Sequence, residues 1–249
     1  MCGVVVIVTR WWLGWLLWTV ACVMALLGAN LSPSWLLGPP TTPYSPHAAL
    51  VTSPGQPQPA FSTDFLKEQF TEPSAWGSGQ ERESLGLWLR CTKMGTGARS
   101  SLHCGVYITN VPDLPAAQIV ALVAVVAATV LTVVSCGAIC STACVRLIKG
   151  KSWFTIIGSV QAFAGVLSLA GVAAFPLAWD SQRVQNQCGA DAGIYYPSSC
   201  TVGWATYITL ASSIGLLMCT CLSSFAAKST STEDVAEEIS KGSNVVCLI

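Results

Sequence analysis

The chain has 249 residues, 52% of them hydrophobic and only 10% charged, with a mean hydropathy of +0.58. A water-soluble domain carries about 25% charged residues, so this composition points to lipid. Twelve Lys and Arg balance twelve Asp and Glu, which leaves no basic excess to neutralise phosphates and excludes nucleic acid as a partner. The two histidines, His47 and His103, are too few and too far apart for a histidine metal site or a histidine-driven catalytic constellation. No catalytic, cofactor or metal site is assigned, and a non-enzymatic membrane protein is expected.

A hydrocarbon core about 30 Å thick is crossed by about 20 apolar residues of helix. Four uncharged runs reach that length, at 11–31, 116–145, 153–178 and 201–227. Spanning backbone must satisfy its own hydrogen bonds, so these runs predict four helices, and the alternating short segments of a barrel are absent.

In chain order, residues 1–10 precede the first span, 11–31, which carries Trp11, Trp12, Trp15 and Trp18. A cleaved signal peptide ending near Leu27-Gly28-Ala29 is the alternative, but this run outlasts the roughly 7–15 apolar residues of such a segment. The sequon Asn30-Leu31-Ser32 sits too near the membrane edge for a glycosylating enzyme to reach. Residues 32–115 then form a first loop. Eight of thirteen prolines fall between Pro33 and Pro59, so the insert 33–59 is expected to be extended. It either reaches toward a partner or is a tolerated loop insertion, the second reading asking less of the residues. Within 85–108, Leu85, Leu87, Leu89 and Cys91 alternate with Gly86, Trp88 and Arg90, and Leu102, Cys104, Val106 and Ile108 alternate after a Gly- and Ser-rich turn. This predicts a hairpin clipped by Cys91 and Cys104, with Trp88 resting on the membrane surface.

The second span, 116–145, ends with Cys140 and Cys144 one helical turn apart beside Arg146, where either plain packing or reversible palmitoylation fits. The short loop 146–152 holds Arg146, Lys149 and Lys151 and no acid, so it is expected in the cytoplasm. Both termini then lie there too, and the loops 32–115 and 179–200 face the exterior. The four cysteines on that oxidising side, Cys91 and Cys104 in one loop and Cys188 and Cys200 in the other, read as two intraloop disulfides, each closing about 13 residues and contributing about 3 kcal/mol. A metal site joining His103 to Cys91 and Cys104 lacks a second Cys-x-x-Cys. In the third span, 153–178, Gln161 must find a hydrogen bond; holding the bundle together is its first reading and docking a partner's helix its second. Small residues at helical spacing (Ala124, Ala128, Thr132; Gly158, Ala162, Gly165) allow close helix approach. Asp180 and Arg183 flank a short amphipathic stretch in the second loop. No span holds Asp, Glu, Lys or Arg, so a proton relay or voltage sensor lacks its parts. The fourth span, 201–227, leads to an acidic tail, 228–249, with Glu233, Asp234, Glu237 and Glu238. The tail ends in an apolar run at Ile249 that is either frayed or able to add to a PDZ sheet edge.

Gly86-Leu87-Trp88-x-x-Cys91 followed by Cys104 resembles the first-loop signature of the claudin and peripheral-myelin-protein superfamily. Gln161, Phe175-Pro176-x-x-Trp179-Asp180-Ser181-x-x-Val184-x-x-x-Cys188-Gly189 and Cys200-Thr201-Val202-x-Trp204-Ala205 closely resemble the LHFPL (lipoma HMGIC fusion partner-like) tetraspan subfamily, and Pro33-x-Trp35-x-x-Gly38 agrees. The resemblance covers 11–38 and 84–227. It implies a mainly α membrane fold, a four-transmembrane-helix bundle with a small extracellular β-sheet. It also implies a multi-pass plasma-membrane protein acting as an auxiliary or scaffolding subunit, which aids assembly, trafficking or placement of an integral-membrane channel or receptor. Hair-cell mechanotransduction and inhibitory-receptor complexes are the family's examples. The alternative, from the claudin relatives, is a cell-junction or adhesion component.

Overall fold

The computed structural model of the chain describes residues 6–39, 82–94, 101–106, 114–142, 147–148, 151–230 and 245–248. The insert beyond Pro39, Cys144, Arg146, Lys149, the tail acids and Ile249 lie outside the described residues. In chain order the elements are β1 Val6–Thr9, α1 Arg10–Leu31, β2 Leu36–Leu37, β3 Ser84–Leu85, β4 Leu89–Met94, β5 Ser101–Val106, α2 Ala116–Thr142, β6 Leu147–Ile148, β7 Lys151–Ser152, α3 Trp153–Ala174, α4 Gln182–Cys188, β8 Thr201–Val202, α5 Trp204–Ser229 and β9 Val245–Leu248. A 3-10 turn, Phe175–Ala178, carries α3 through Pro176.

Among the described residues four helices are long and apolar enough to cross a membrane: α1, α2, α3 with its 3-10 turn, and α5. The protein is a multi-pass membrane protein. Extended Thr9 caps α1, its hydroxyl accepting from the Trp12 N–H at 3.3 Å. The bundle is apolar outside and partly polar inside. Leu17, Met24, Val134 and Phe163 are each at least 60% exposed, while Gln161, Thr132, Ser168, Thr209 and Ser213 are wholly buried. Lipid chains are as apolar as leucine, so helix association comes from close packing and interhelical hydrogen bonds. Gly165 lets α3 approach the Ser213 carbonyl of α5, and Ser213 donates to the Ser168 hydroxyl at 2.8 Å. Gly171 plays the same part against Val125 and Ala121 of α2. α3 packs against both α2 and α5, α1 packs against α5, and α1 meets α2 more lightly.

A five-stranded antiparallel sheet, ordered β5-β4-β3-β2-β8, sits at one end of the bundle. It corrects the sequence reading in two places. The alternation from Leu85 to Cys91 is not one strand, because the chain turns at 86–88 and β3 folds back onto β4, with Ser84 opposite Cys91. Thr201–Val202 is not the start of the fourth span but an edge strand paired with Leu36–Leu37. The main chain of that segment is taken by the sheet, so the helix starts after Gly203. Gly38 N–H donates to the Glu83 carbonyl at 2.8 Å, so the chain leaves the sheet after β2 and returns to it before β3 at neighbouring points. At the other end of the bundle β6 and β7 form a hairpin, and β1 pairs in parallel with β9. The carboxy-terminal strand is therefore paired rather than frayed.

Candidate functional site

The sheet is held onto the bundle by tryptophans whose indole N–H groups find main-chain carbonyls. Trp35 Nε1 donates to the Ala29 carbonyl at 2.8 Å, and the Trp35 carbonyl accepts from Gly203 N–H at 2.8 Å and the Thr206 hydroxyl at 3.1 Å. The segment after the first span is thus bound to the start of the fourth. Its ring meets Phe175 edge-on at 5.3 Å, and Phe175 meets Trp179 at 6.1 Å and 90°. Trp35 and Trp179 are 0% and 5% exposed; they are core residues because the sheet covers the helix ends. Trp204 stays on the outside at 48%. With Leu36, Leu85, Leu87, Val184, Cys188, Cys200 and Ala205 these rings form one cluster.

Most of the motif residues converge here. Gly86 sits where an added Cβ would lie 2.8 Å from the Ser32 carbonyl oxygen and 2.9 Å from Pro33 Cα, so only glycine lets the turn seat against the end of α1. Leu87 is wholly buried in that turn. Trp88 is half-buried, and its Nε1 donates to the Asn30 carbonyl. Pro176 gives its carbonyl to Trp179 N–H and Tyr195 N–H. Asp180 is exposed, and Ser181 occupies the N-cap position of α4 without a side-chain cap bond. Disulfides join Cys91 to Cys104, opposite one another in the β4–β5 ladder, and Cys188 to Cys200. The thiols of the first pair are consumed by that bond and are not metal ligands. His103 lies one residue away in β5.

Gln161 is wholly buried, and both ends of its amide have a partner within the chain. Its Oε1 accepts from Trp15 Nε1 at 2.9 Å and its Nε2 donates to Thr19 Oγ1 at 2.9 Å. A partner's helix cannot reach it in this conformation. Cys140 is exposed at the end of α2, whereas Cys22 and Cys219 are buried between α1 and α5.

Asn30 is the residue that sequence reading underrated, having taken it only as half of a sequon. Its Nδ2, the atom a glycan would need, donates to the Leu26 carbonyl at 2.9 Å and Thr129 Oγ1 at 2.7 Å. With Trp88 on its own carbonyl, Asn30 ties α1, α2 and the sheet together. An amide inside an otherwise apolar run was the available signal. Beside this joint lies an apolar crevice of about 640 Å³ between α1 and α2, lined by Leu27, Asn30, Leu31, Trp88, Leu122 and Val126 among others. None of the four uncharged runs between residues 11 and 227 contains Asp, Glu, Lys, Arg or His.

Four membrane-crossing helices with a small disulfide-linked antiparallel sheet on one end define a tetraspan membrane protein of claudin-like architecture. The family profile "Lipoma HMGIC fusion partner-like protein" matches residues 13–228, and the chain belongs to that family. It is 31% identical to LHFPL tetraspan subfamily member 2a protein of Danio rerio, over 94% of this chain and 96% of the relative. To LHFPL tetraspan subfamily member 2 protein of Homo sapiens it is 28% identical, over 98% and 99%. Member 4 of Mus musculus is 27% identical over 62% of this chain and 61% of its own. The family match runs across the insert, so the likeness extends beyond the two stretches that the motifs cover.

Proposed function

We propose that the protein is a non-enzymatic auxiliary or scaffolding subunit that aids the assembly, trafficking or placement of an integral-membrane channel or receptor at the plasma membrane. The observation that carries this reading is the crevice between α1 and α2. It is apolar, faces the bilayer and is bordered by Trp88, so a partner's transmembrane helix packed there would touch two spans and the sheet together. Membership of the LHFPL family supports it by what the family implies. The basic loop 146–152 supports an orientation with both termini cytoplasmic and the sheet outside, the side on which the disulfides can form. In that orientation Cys140, which is exposed, and Cys144, four residues on in the sequence, are candidates for reversible palmitoylation, and the apolar run 245–249 is a candidate ligand for a PDZ-type sheet edge.

A photo-crosslinking residue at Val126, with identification of what it captures, tests the reading. The captured protein should be an integral-membrane channel or receptor. Its surface abundance should fall when Val126→Trp fills the crevice while the variant itself still reaches the surface. Strand-like self-assembly at cell contacts with altered paracellular conductance, and no loss of any captured channel or receptor, would instead establish the junctional alternative.

A further inference from the structure

The two ends of the chain share one ladder. Val6, Ile7, Val8 and Thr9 lie opposite Val245, Val246, Cys247 and Leu248, in parallel. Strands so distant in sequence meet because α1 and α5 pack side by side, with Thr9 Oγ1 2.8 Å from Ser229 Oγ at the foot of the ladder. β1 enters α1 without a linker, Thr9 being the cap and Arg10 the first helical residue. At about 3.3 Å per residue, this four-residue strand keeps β9 within about 13 Å of a membrane-crossing helix.

We propose that this ladder is an autoinhibitory contact on a docking strand. β1 holds β9 close to the bilayer, and a domain that takes this strand onto its own sheet edge gains it only when the ladder opens. The proposal rests on the reading of 245–249 as such a ligand. A domain of about 100 residues has a radius of gyration near 13 Å, so its groove does not fit around a strand pinned that close to the membrane. Capture also adds the ligand to the domain's own sheet through main-chain hydrogen bonds, and β1 already engages that main chain. Once released, the residues after Thr230 can extend up to about 60 Å from the bundle. A two-stranded sheet is marginal by itself, so the contact is weak enough to be displaced. If it is closed in about nine molecules of ten, the apparent affinity for the capturing domain is about tenfold lower than that of the free tail.

The ladder itself is tested with full-length Cys2→Ser, Val8→Cys protein in native membranes. Val8 and Cys247 are register partners, and neighbouring strands lie about 4.8 Å apart, within the Cα separation of a disulfide. Copper-phenanthroline oxidation should give an 8–247 link on peptide mapping, and more of it than a 6–247 link from Cys2→Ser, Val6→Cys. The consequence is tested with a panel of immobilised PDZ domains, offered either a synthetic peptide of residues 240–249 or the full chain in nanodiscs. A domain that takes the peptide should bind the wild-type chain about tenfold more weakly. Of Ile7→Pro and Val8→Pro, the one that removes an N–H directed at β9 should recover most of that difference, because proline withholds a donor from the ladder. The oxidised Val8→Cys protein should lose binding and regain it on reduction, which keeps the test informative where the proline variant fails to fold. If no domain takes the peptide, the ligand reading fails and the proposal with it. If peptide, wild type and opened variants all bind equally, the autoinhibition fails while the ligand reading stands. Absence of the 8–247 link overturns the ladder.

Discussion

Gln161 shows how a single amide can organise a bundle. Both halves of its side chain are occupied, by Trp15 and Thr19 of the first span. Gln161→Leu takes the acceptor from the buried Trp15 indole N–H and one donor from Thr19 Oγ1, which keeps its bond to the Trp15 carbonyl, and should cost about 1–2 kcal/mol, the upper part of the range for interhelical polar contacts in membranes. A lower unfolding midpoint in a detergent-denaturant titration would register the loss. The double variant with Trp15→Phe should cost less than the sum of the single changes, since both remove the same bond. Gly86 makes the opposite kind of contribution, by having no side chain. Gly86→Ala forces a methyl against the Ser32 carbonyl and Pro33, main-chain atoms that cannot swing away, and overpacking of that kind costs about 1–3 kcal/mol. Gly105 in the exposed strand β5 has nothing within 4 Å of the same added atom, so Gly105→Ala should be near neutral. Thermal melts of the two variants make the comparison, and equal melting temperatures would contradict the role given to Gly86.

Among the elements, the two disulfides differ in what surrounds them. Cys188 and Cys200 are both buried, at 0% and 4% exposure, inside the cluster that joins the sheet to α3 and α5, while the other bridge has only one buried end, Cys91 at 2%, with Cys104 exposed on the edge strand β5. Loss of a native disulfide costs about 2–5 kcal/mol. The Cys188→Ser, Cys200→Ser pair should lie at the upper end, because it also leaves hydroxyls in an apolar core, and Cys91→Ser, Cys104→Ser at the lower end. Surface abundance and thermal inactivation of the two double variants should rank in that order. The hairpin between β3 and β4 shows where pattern reading failed. Leucines at alternate positions from 85 to 89 have the period of a strand, yet Leu87 is buried by a turn against the end of α1 and not by a pleat. A turn of three residues shifts register without disturbing the alternation, so the period alone could not reveal it.

At the scale of the whole molecule, four crossings put the sheet and the termini on opposite sides of the membrane, and the basic loop 146–152 is the ground for the proposed orientation with the termini in the cytoplasm. An epitope at either end should need permeabilisation for antibody access, whereas a tag near Gly55 should be accessible on intact cells. Surface labelling of a terminal tag would reverse the orientation. The same side-to-side arrangement of α1 and α5 that defines the bundle places Thr9 beside Ser229, and hence brings the two chain ends into one sheet. The molecule thus carries a disulfide-linked platform at one end and a ladder of its own termini at the other.

The four spans were legible in the sequence because a bilayer imposes length and apolarity on every crossing segment, whatever its neighbours. The cysteine pairs were legible for a related reason: four spans divide the loops between two sides of the membrane and leave only four cysteines on one of them. The motif residues from Phe175 to Trp204 marked the family before their contacts were visible. What the sequence left open depended on segments far apart in the chain meeting in space. The use of Gln161 within the bundle was decided by Trp15 and Thr19 coming within hydrogen-bond reach, and the part played by Asn30 by Thr129 and Trp88. Thr201–Val202 became strand rather than helix because Leu36–Leu37 offered it a ladder, and the carboxy terminus became an ordered strand because Val6–Thr9 did the same. Composition and period record what each residue needs, a lipid face or a hydrogen-bond partner. Only the packing of the helices determines which partner is near enough to supply it.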